Sequence, residues 1–154
     1  MVKVMENELE FLEYLHNIIK LEKDALSRII KMREKIDILN NILKEQIEVY
    51  KKFSVSAERM IKVRRKKVND LSLFAKMASH VGAKFVVSND NDDELICSLL
   101  RRYKICIEEI ENKFRDSKIK SKTISNLFKR FIEFENRNID IIYRTYPNVN
   151  NEKM

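Results

Sequence analysis

Residues 5–81 read MENELEFLEYLHNIIKLEKDALSRIIKMREKIDILNNILKEQIEVYKKFSVSAERMIKVRRKKVNDLSLFAKMASHV, with neither glycine nor proline. Globular helices average three or four turns and are punctuated by breakers, so this stretch predicts an unusually long helix. Steps of alternately three and four residues from Leu12 test the repeat of a coiled coil. They land on Leu12, Leu15, Ile19, Leu26, Ile29, Ile36, Leu43, Ile47, Tyr50, Ala57, Ile61, Val68, Leu71, Ala75 and Ala78. Glu22, Arg33, Asn40, Ser54, Arg64 and Gly82 are the exceptions. A turn usually resets such a register, and this one does not reset. Asp37–Asn41 and Ser54–Ser56 are the two places for a break, and neither has glycine or an evident cap. The reading is one helix over about 5–84. Glu22, Arg33, Asn40 and Arg64 read either as core polar groups that fix register and partner choice or as groups at the edge of the seam that snorkel into water. Side stripes at Ile18, Leu39, Ile42, Val49 and Phe53 widen the seam towards three or four packed helices.

Outward from this stretch, punctuation begins at GAKFVVSNDNDD (82–93). Gly82 suits a helix C-terminus, Asn91 and Glu94 form a capping-box pattern, and Phe85–Val87 reads as an anchored turn. A turn is expected over about 85–91. A second helix over about 92–116 carries Leu95, Leu99, Tyr103, Cys106, Ile110 and Phe114. DSKIKSKTIS (116–125) is a basic loop or kink, with Ser121 or Thr123 as cap. A third helix over about 123–146 carries Ile124, Leu127, Phe128, Phe131, Ile132, Phe134, Ile139, Ile142 and Tyr146. Pro147 ends it, and residues 148–154 form a polar tail. The chain reads as one domain over 1–147.

Composition agrees. The 154 residues hold one glycine and one proline, where average usage gives roughly ten and seven. Hairpin-joined strands and α/β units need both at their turns, so sandwiches, barrels, Rossmann folds and P-loop folds are excluded. The fold class is all-α: a long antiparallel helical hairpin or three-helix coiled-coil bundle. The alternative is a compact four-helix ferritin-like bundle without metal ligands.

Little chemistry is visible. There is no GxGxxG, Walker loop, GxSxG or CxxC. His16 and His80 are too far apart in sequence to form one local metal site. Di-iron bundles place Glu-x-x-His on two helices. Here Glu45, Glu48, Glu108, Glu109, Glu133 and Glu135 sit at helical positions without that motif, Glu133-Phe-Glu-Asn136 coming nearest among them. The single Glu-x-x-His of the chain, Glu13-Tyr-Leu-His16, falls short of the two that the fold needs. The expectation is a protein that is not an enzyme and has no cofactor or metal. Cys97 and Cys106 lie about 13 Å apart along one helix, too far for a bridge, which suits a reducing, cytoplasmic setting. The N-terminus has no apolar core like a signal peptide's, so any membrane contact is peripheral.

Charge is the remaining signal. Lys and Arg number 31 against 24 Asp and Glu, for a net +7 and a pI near 9.4. Two clusters stand out: Arg59, Lys62, Arg64, Arg65, Lys66 and Lys67, then Lys113, Arg115, Lys118, Lys120 and Lys122. Folding back near residue 87 would set residue 67 opposite about 107 and residue 54 opposite about 120. The two clusters would then meet on one anion-binding face.

The run ERMIKVRRKKVNDLSLFAKMASHVGAKF, an acidic turn, then DDELICSLLRRYKICIEEIENKF resembles the BAR region of sorting nexins. LFKRFIEFENRNIDIIYRTY (127–146), with Arg144 near its end, looks like that family's third helix. The resemblance implies a dimeric, curved scaffold that meets membranes through lysine and arginine. Arg59, Arg64, Arg65, Lys66 and Lys67 match that region's basic character. The functional expectation is therefore a non-enzymatic scaffold that self-associates and binds an anionic phospholipid membrane. A helical adaptor subunit within a protein complex is the competing reading, and nucleic acid is the less favoured partner.

Overall fold

The computed structural model describes residues 2–68 and 92–149, with side chains from residue 6 to 65 in the first segment. The expected turn at 85–91, with Gly82, Phe85–Val87 and Asn91, lies outside the described residues, as does the 148–154 tail beyond Val149. The protein is all-helical. Among the described residues four helices occur in order: α1 (Val2–Arg33), α2 (Ile38–Val68), α3 (Asp92–Ser117) and α4 (Lys122–Thr145).

A single helix over 5–84 is not formed, because the chain turns at residues 34–37. Glu34 takes a left-handed backbone with φ 49° and closes α1 by donating its N–H to the Ile30 carbonyl at 3.1 Å. Such a conformation costs a non-glycine residue about 1–2 kcal/mol, so something must hold it. Asp37 does part of this. Its Oδ1 accepts the Asn40 N–H at 2.9 Å, which caps the start of α2. Asn40 in turn donates its side-chain amide to the Lys35 carbonyl at 2.7 Å. The heptad count runs through this turn undisturbed because Ile29 and Leu43 happen to sit two heptads apart. Ile36, counted into the seam, is 96 % exposed.

The helix directions follow from the contacts. Glu13 on α1 meets Arg65 on α2, and Phe114 on α3 stacks on Phe128 of α4, so both hairpins are antiparallel. Glu10 meets Lys113 and Arg33 meets Asp92, so α3 runs antiparallel to α1. Tyr50 meets Glu135 and Arg64 meets Ser121, so α4 runs antiparallel to α2. Consequently α2 and α3 are parallel, facing each other across the bundle through Gln46 and Tyr103. This replaces the fold-back near residue 87, in which α2 and α3 would have formed an antiparallel hairpin. Val68 and Asp92 therefore lie at opposite ends of the bundle.

One apolar core joins all four helices. Leu9, Leu12, Leu15, Ile19 and Leu26 of α1 meet Leu43 and Tyr50 of α2, Leu99 and Ile110 of α3, and Leu127 and Phe131 of α4. Full burial of each such side chain contributes about 1.5–3 kcal/mol. Phe11 through Leu15 are buried without interruption, because α1 is flanked by both α2 and α3. The side stripes behave as the wide seam predicted: Ile18 and Leu39 are buried, and Ile42, Val49 and Phe53 pack against the core. Over the described residues the four helices cover this seam within one chain.

Candidate functional site

Two polar regions stand apart from this core. The first is one end of the bundle, where the C-termini of α2 and α3 meet the N-termini of α1 and α4. Ser121 caps α4 there, with φ −67° and ψ 124°, and accepts the Ile124 N–H. Lys118, with φ 50°, makes the preceding turn left-handed. A four-residue connection thus projects Lys118, Lys120 and Lys122 from the bundle end, all at least partly exposed.

The two basic clusters do reach this same end, but their members divide into two kinds. Arg64 is only 16 % exposed; it donates Nε to Glu8 at 3.2 Å and Nη2 to Ser121 Oγ at 3.4 Å. Arg65 donates Nε and Nη2 to Glu13 at 3.1 and 2.9 Å. Lys113 donates to Glu10 at 2.8 Å and lies over the Tyr14 ring. These three are turned inward onto the glutamates of α1 and are interhelix ties, not the surface ligands that the charge clusters predict. Arg59, Lys62, Arg115, Lys118, Lys120 and Lys122 face solvent, Arg115 with a hydrogen bond to Asn112 on its own helix. Lys66 and Lys67 lie on the last turns of α2, and their side chains are outside the described residues.

The second region is a buried polar layer midway along the bundle. Glu22 of α1 accepts from Arg102 Nε of α3 at 2.9 and 3.0 Å, and both side chains are largely buried. Glu135 of α4 is fully buried; its Oε1 accepts from Tyr50 OH at 2.5 Å and from Asn138 Nδ2 at 3.3 Å. Tyr103 OH donates to Gln46 Oε1 at 2.5 Å. Glu135 Oε2 and Gln46 Nε2 have no hydrogen-bond partner.

Burial pushes the Glu135 carboxyl well above its ordinary value near 4.5, and the nearby Glu22 charge pushes the same way against Tyr50, Asn138 and Arg102. Burial likewise raises Glu22, with Arg102 opposing. The Tyr50 and Tyr103 hydroxyls and the Cys106 thiol are also raised by burial, reinforced by the carboxylates. Neutral Glu135 and a Glu22–Arg102 pair are therefore the forms the interior favours. Cys97 and Cys106 are buried free thiols.

The polar exceptions of the heptad reading belong inside, not in water at the seam's edge. Glu22 and Asn40 are buried, Arg33 is 6 % exposed at its side chain, and each has a polar partner from a different segment. The inward carboxylate–amide pair of α4 lies two residues beyond Glu133 and Asn136. Glu133 and Asn136 face out, whereas Glu135 and Asn138 face in, one turn apart on α4. The signal was available: Glu135 and Asn138 fall at steps of four from Phe131 and Ile142, the core stripe of that helix.

Among the described residues no group of three or more His, Cys, Asp and Glu side chains is placed to hold a metal ion. Beside Glu22, where a carboxylate-bridged metal would need open oxygens, the Arg102 guanidinium supplies the positive charge instead. On the α1–α2 seam, His16 Nε2 lies 3.1 Å from both Ser54 Oγ and Glu58 Oε1. A catalytic relay needs hydroxyl and carboxylate on opposite ring nitrogens. Here both share one nitrogen, so the trio is an interhelix contact. No helix among the described residues is long and apolar enough to cross a membrane. Comparisons with protein-family models, curated proteins and solved structures found no match to this chain.

Proposed function

We propose that the protein is a non-enzymatic helical bundle that docks its basic end onto an anionic phospholipid surface. One observation carries this reading: Lys118, Lys120 and Lys122 project together from a single capped turn, with Lys62 and Arg115 exposed at the same end. Each such charge near an anionic bilayer contributes about 1 kcal/mol, so five together suffice for salt-sensitive binding. Helices of 32 and 31 residues for α1 and α2 favour end-on docking over a long curved face.

Liposome sedimentation tests the proposal, with and without anionic lipid, at low and high salt. Binding that requires anionic lipid, fades with salt and is lost when Lys118, Lys120 and Lys122 are changed to Glu supports it. Absence of binding at low salt, or binding indifferent to the triple reversal, overturns it.

The adaptor reading rests on a different feature. Met32, Ile36 and Ile38, at 51, 96 and 64 % exposure, crowd the α1–α2 turn at the opposite end. Those side chains suit a partner helix or a second copy of the chain. Dimerisation lost on changing Ile36 and Ile38 to Ser, measured by analytical ultracentrifugation, would favour it.

A further inference from the structure

The α1–α2 turn stands at the end of the bundle away from Lys118, Lys120 and Lys122. Ile36 on this turn is almost wholly exposed, and Met32 and Ile38 on either side of it are more than half exposed. Arg33 grips Asp37, and Asp37 caps α2, so the turn presents these side chains on a fixed convex tip. A stable protein interface buries about 800 Å² on each partner, more than three side chains on a convex turn supply. A bilayer asks for less, because it has no shape to match and takes up apolar side chains one by one. Lys31 and Lys35 are exposed beside the tip, and their long stems let the ammonium groups stay at headgroup level while Ile36 goes deeper.

The two ends of the bundle differ in charge. At the tip Glu34, Asp93 and Glu94 are exposed and offset Lys31 and Lys35, while Arg33 is shared by Asp37 and Asp92. This end therefore has no attraction to anionic lipid, and its affinity is apolar. The 32 residues of α1 hold the ends about 48 Å apart. That is several times the Debye length of about 8–10 Å, so neither end feels the charge of the other.

We propose that the protein joins two bilayers, its basic end on an anionic surface and its Ile36 tip inserted into the interface of a second, zwitterionic one. The basic half rests on the docking proposed above, and the apolar half stands on the α1–α2 turn alone. A single tip binds weakly. A surface coated with copies held by their basic ends presents many tips at once, and their combined avidity holds the second bilayer.

Heavy, sucrose-loaded vesicles of phosphatidylcholine with phosphatidylserine, mixed with light fluorescent vesicles of phosphatidylcholine alone, test it. The protein is expected to carry the light vesicles into the pellet. Changing Ile36 and Ile38 together to Ser lowers that co-sedimentation at least about tenfold, since two isoleucines no longer leave water. The same variant keeps the wild-type melting curve and still pellets with the heavy vesicles. Light vesicles left in solution while the protein pellets overturn the tether and leave the basic-end docking standing. Protein absent from the heavy pellet overturns the docking and the tether with it. Co-sedimentation that the isoleucine change leaves intact overturns the tip. Co-sedimentation only when both vesicle sets contain phosphatidylserine also overturns it, because that is the mark of a dimer with two basic ends.

Discussion

Arg33 of α1 grips Asp37 with both guanidinium arms, Nη1 to Oδ1 at 3.0 Å and Nη2 to Oδ2 at 2.8 Å. The same guanidinium reaches Asn40 Oδ1 at 2.7 Å and, on α3, Asp92 Oδ2 at 3.1 Å. One arginine thus fixes the turn between α1 and α2 and pins the start of α3 to it. That fork geometry matches a guanidinium and not an ammonium, so lysine is a poor substitute here.

Asp37→Ala removes both the cap and the ion pair, and it is expected to cost about 0.5–2 kcal/mol for the cap alone. Asp37→Asn keeps one oxygen for the cap but loses the charge and one arm of the Arg33 fork. Urea unfolding at pH 7 should rank wild type above Asn and Asn above Ala. Arg33 holds the Asp37 carboxyl down to about 2, below its ordinary 3.8. Its contribution is therefore present above pH 4 and is lost as pH falls towards 2. In Asp37→Asn that acid-side loss should shrink.

Glu135 gives the opposite sign. Its carboxyl is raised in the folded state, so the folded protein binds more protons than the unfolded chain above the ordinary carboxyl range. The stability associated with the neutral form is full below about pH 4.5 and declines as pH rises towards the raised value. Glu135→Gln has no proton to lose and should flatten this decline, visible as a smaller difference in melting temperature between about pH 5 and pH 8. A variant that leaves the pH profile unchanged would show that Glu135 is ionised in the bundle.

Removing one half of the Glu22–Arg102 pair strands the other charge indoors. Glu22→Ala is expected to destabilise by about 3–5 kcal/mol, and the double change Glu22→Leu with Arg102→Met to recover most of that loss. A chemical-denaturation double-mutant cycle measures both. Additive single effects would show that the two side chains do not couple.

Charge reversal should separate the two kinds of basic residue. Lys120→Glu lies on the surface and should change stability by less than about 0.5 kcal/mol. Arg65→Glu places a second carboxylate beside the buried Glu13 and should cost several-fold more, at least about 2 kcal/mol. Thermal melts of the two variants make the comparison. Liposome experiments on Arg64 or Arg65 variants would consequently report folding as much as binding.

Helical content and the inward stripes were legible because hydrophobic periodicity and missing breakers act locally. The break at 34–37 was legible only as a place, at Asp37–Asn41, and was set aside because Glu34 is neither glycine nor asparagine. Its left-handed backbone is held by Arg33, whose partners lie on three separate segments. Likewise Glu22 looks like a surface glutamate until Arg102, eighty residues on, is brought against it. The cap of α4 was legible only as a choice between Ser121 and Thr123, since either hydroxyl precedes the apolar stripe of that helix. Which lysines point outward depended on how α1 places Glu8, Glu10 and Glu13, a tertiary fact that spacing alone does not contain.

The four-residue turns between α1 and α2 and between α3 and α4 let each hairpin zip early, through contacts close in sequence. Tyr50 meets Glu135 across 85 residues, and Glu22 meets Arg102 across 80, so those pairs form only when the hairpins dock. Docking is then the step at which an arginine and a glutamate leave water together. The bundle's kinetic barrier is in that case partly electrostatic: an apolar pair in place of Glu22 and Arg102 should speed folding, whatever it does to equilibrium stability.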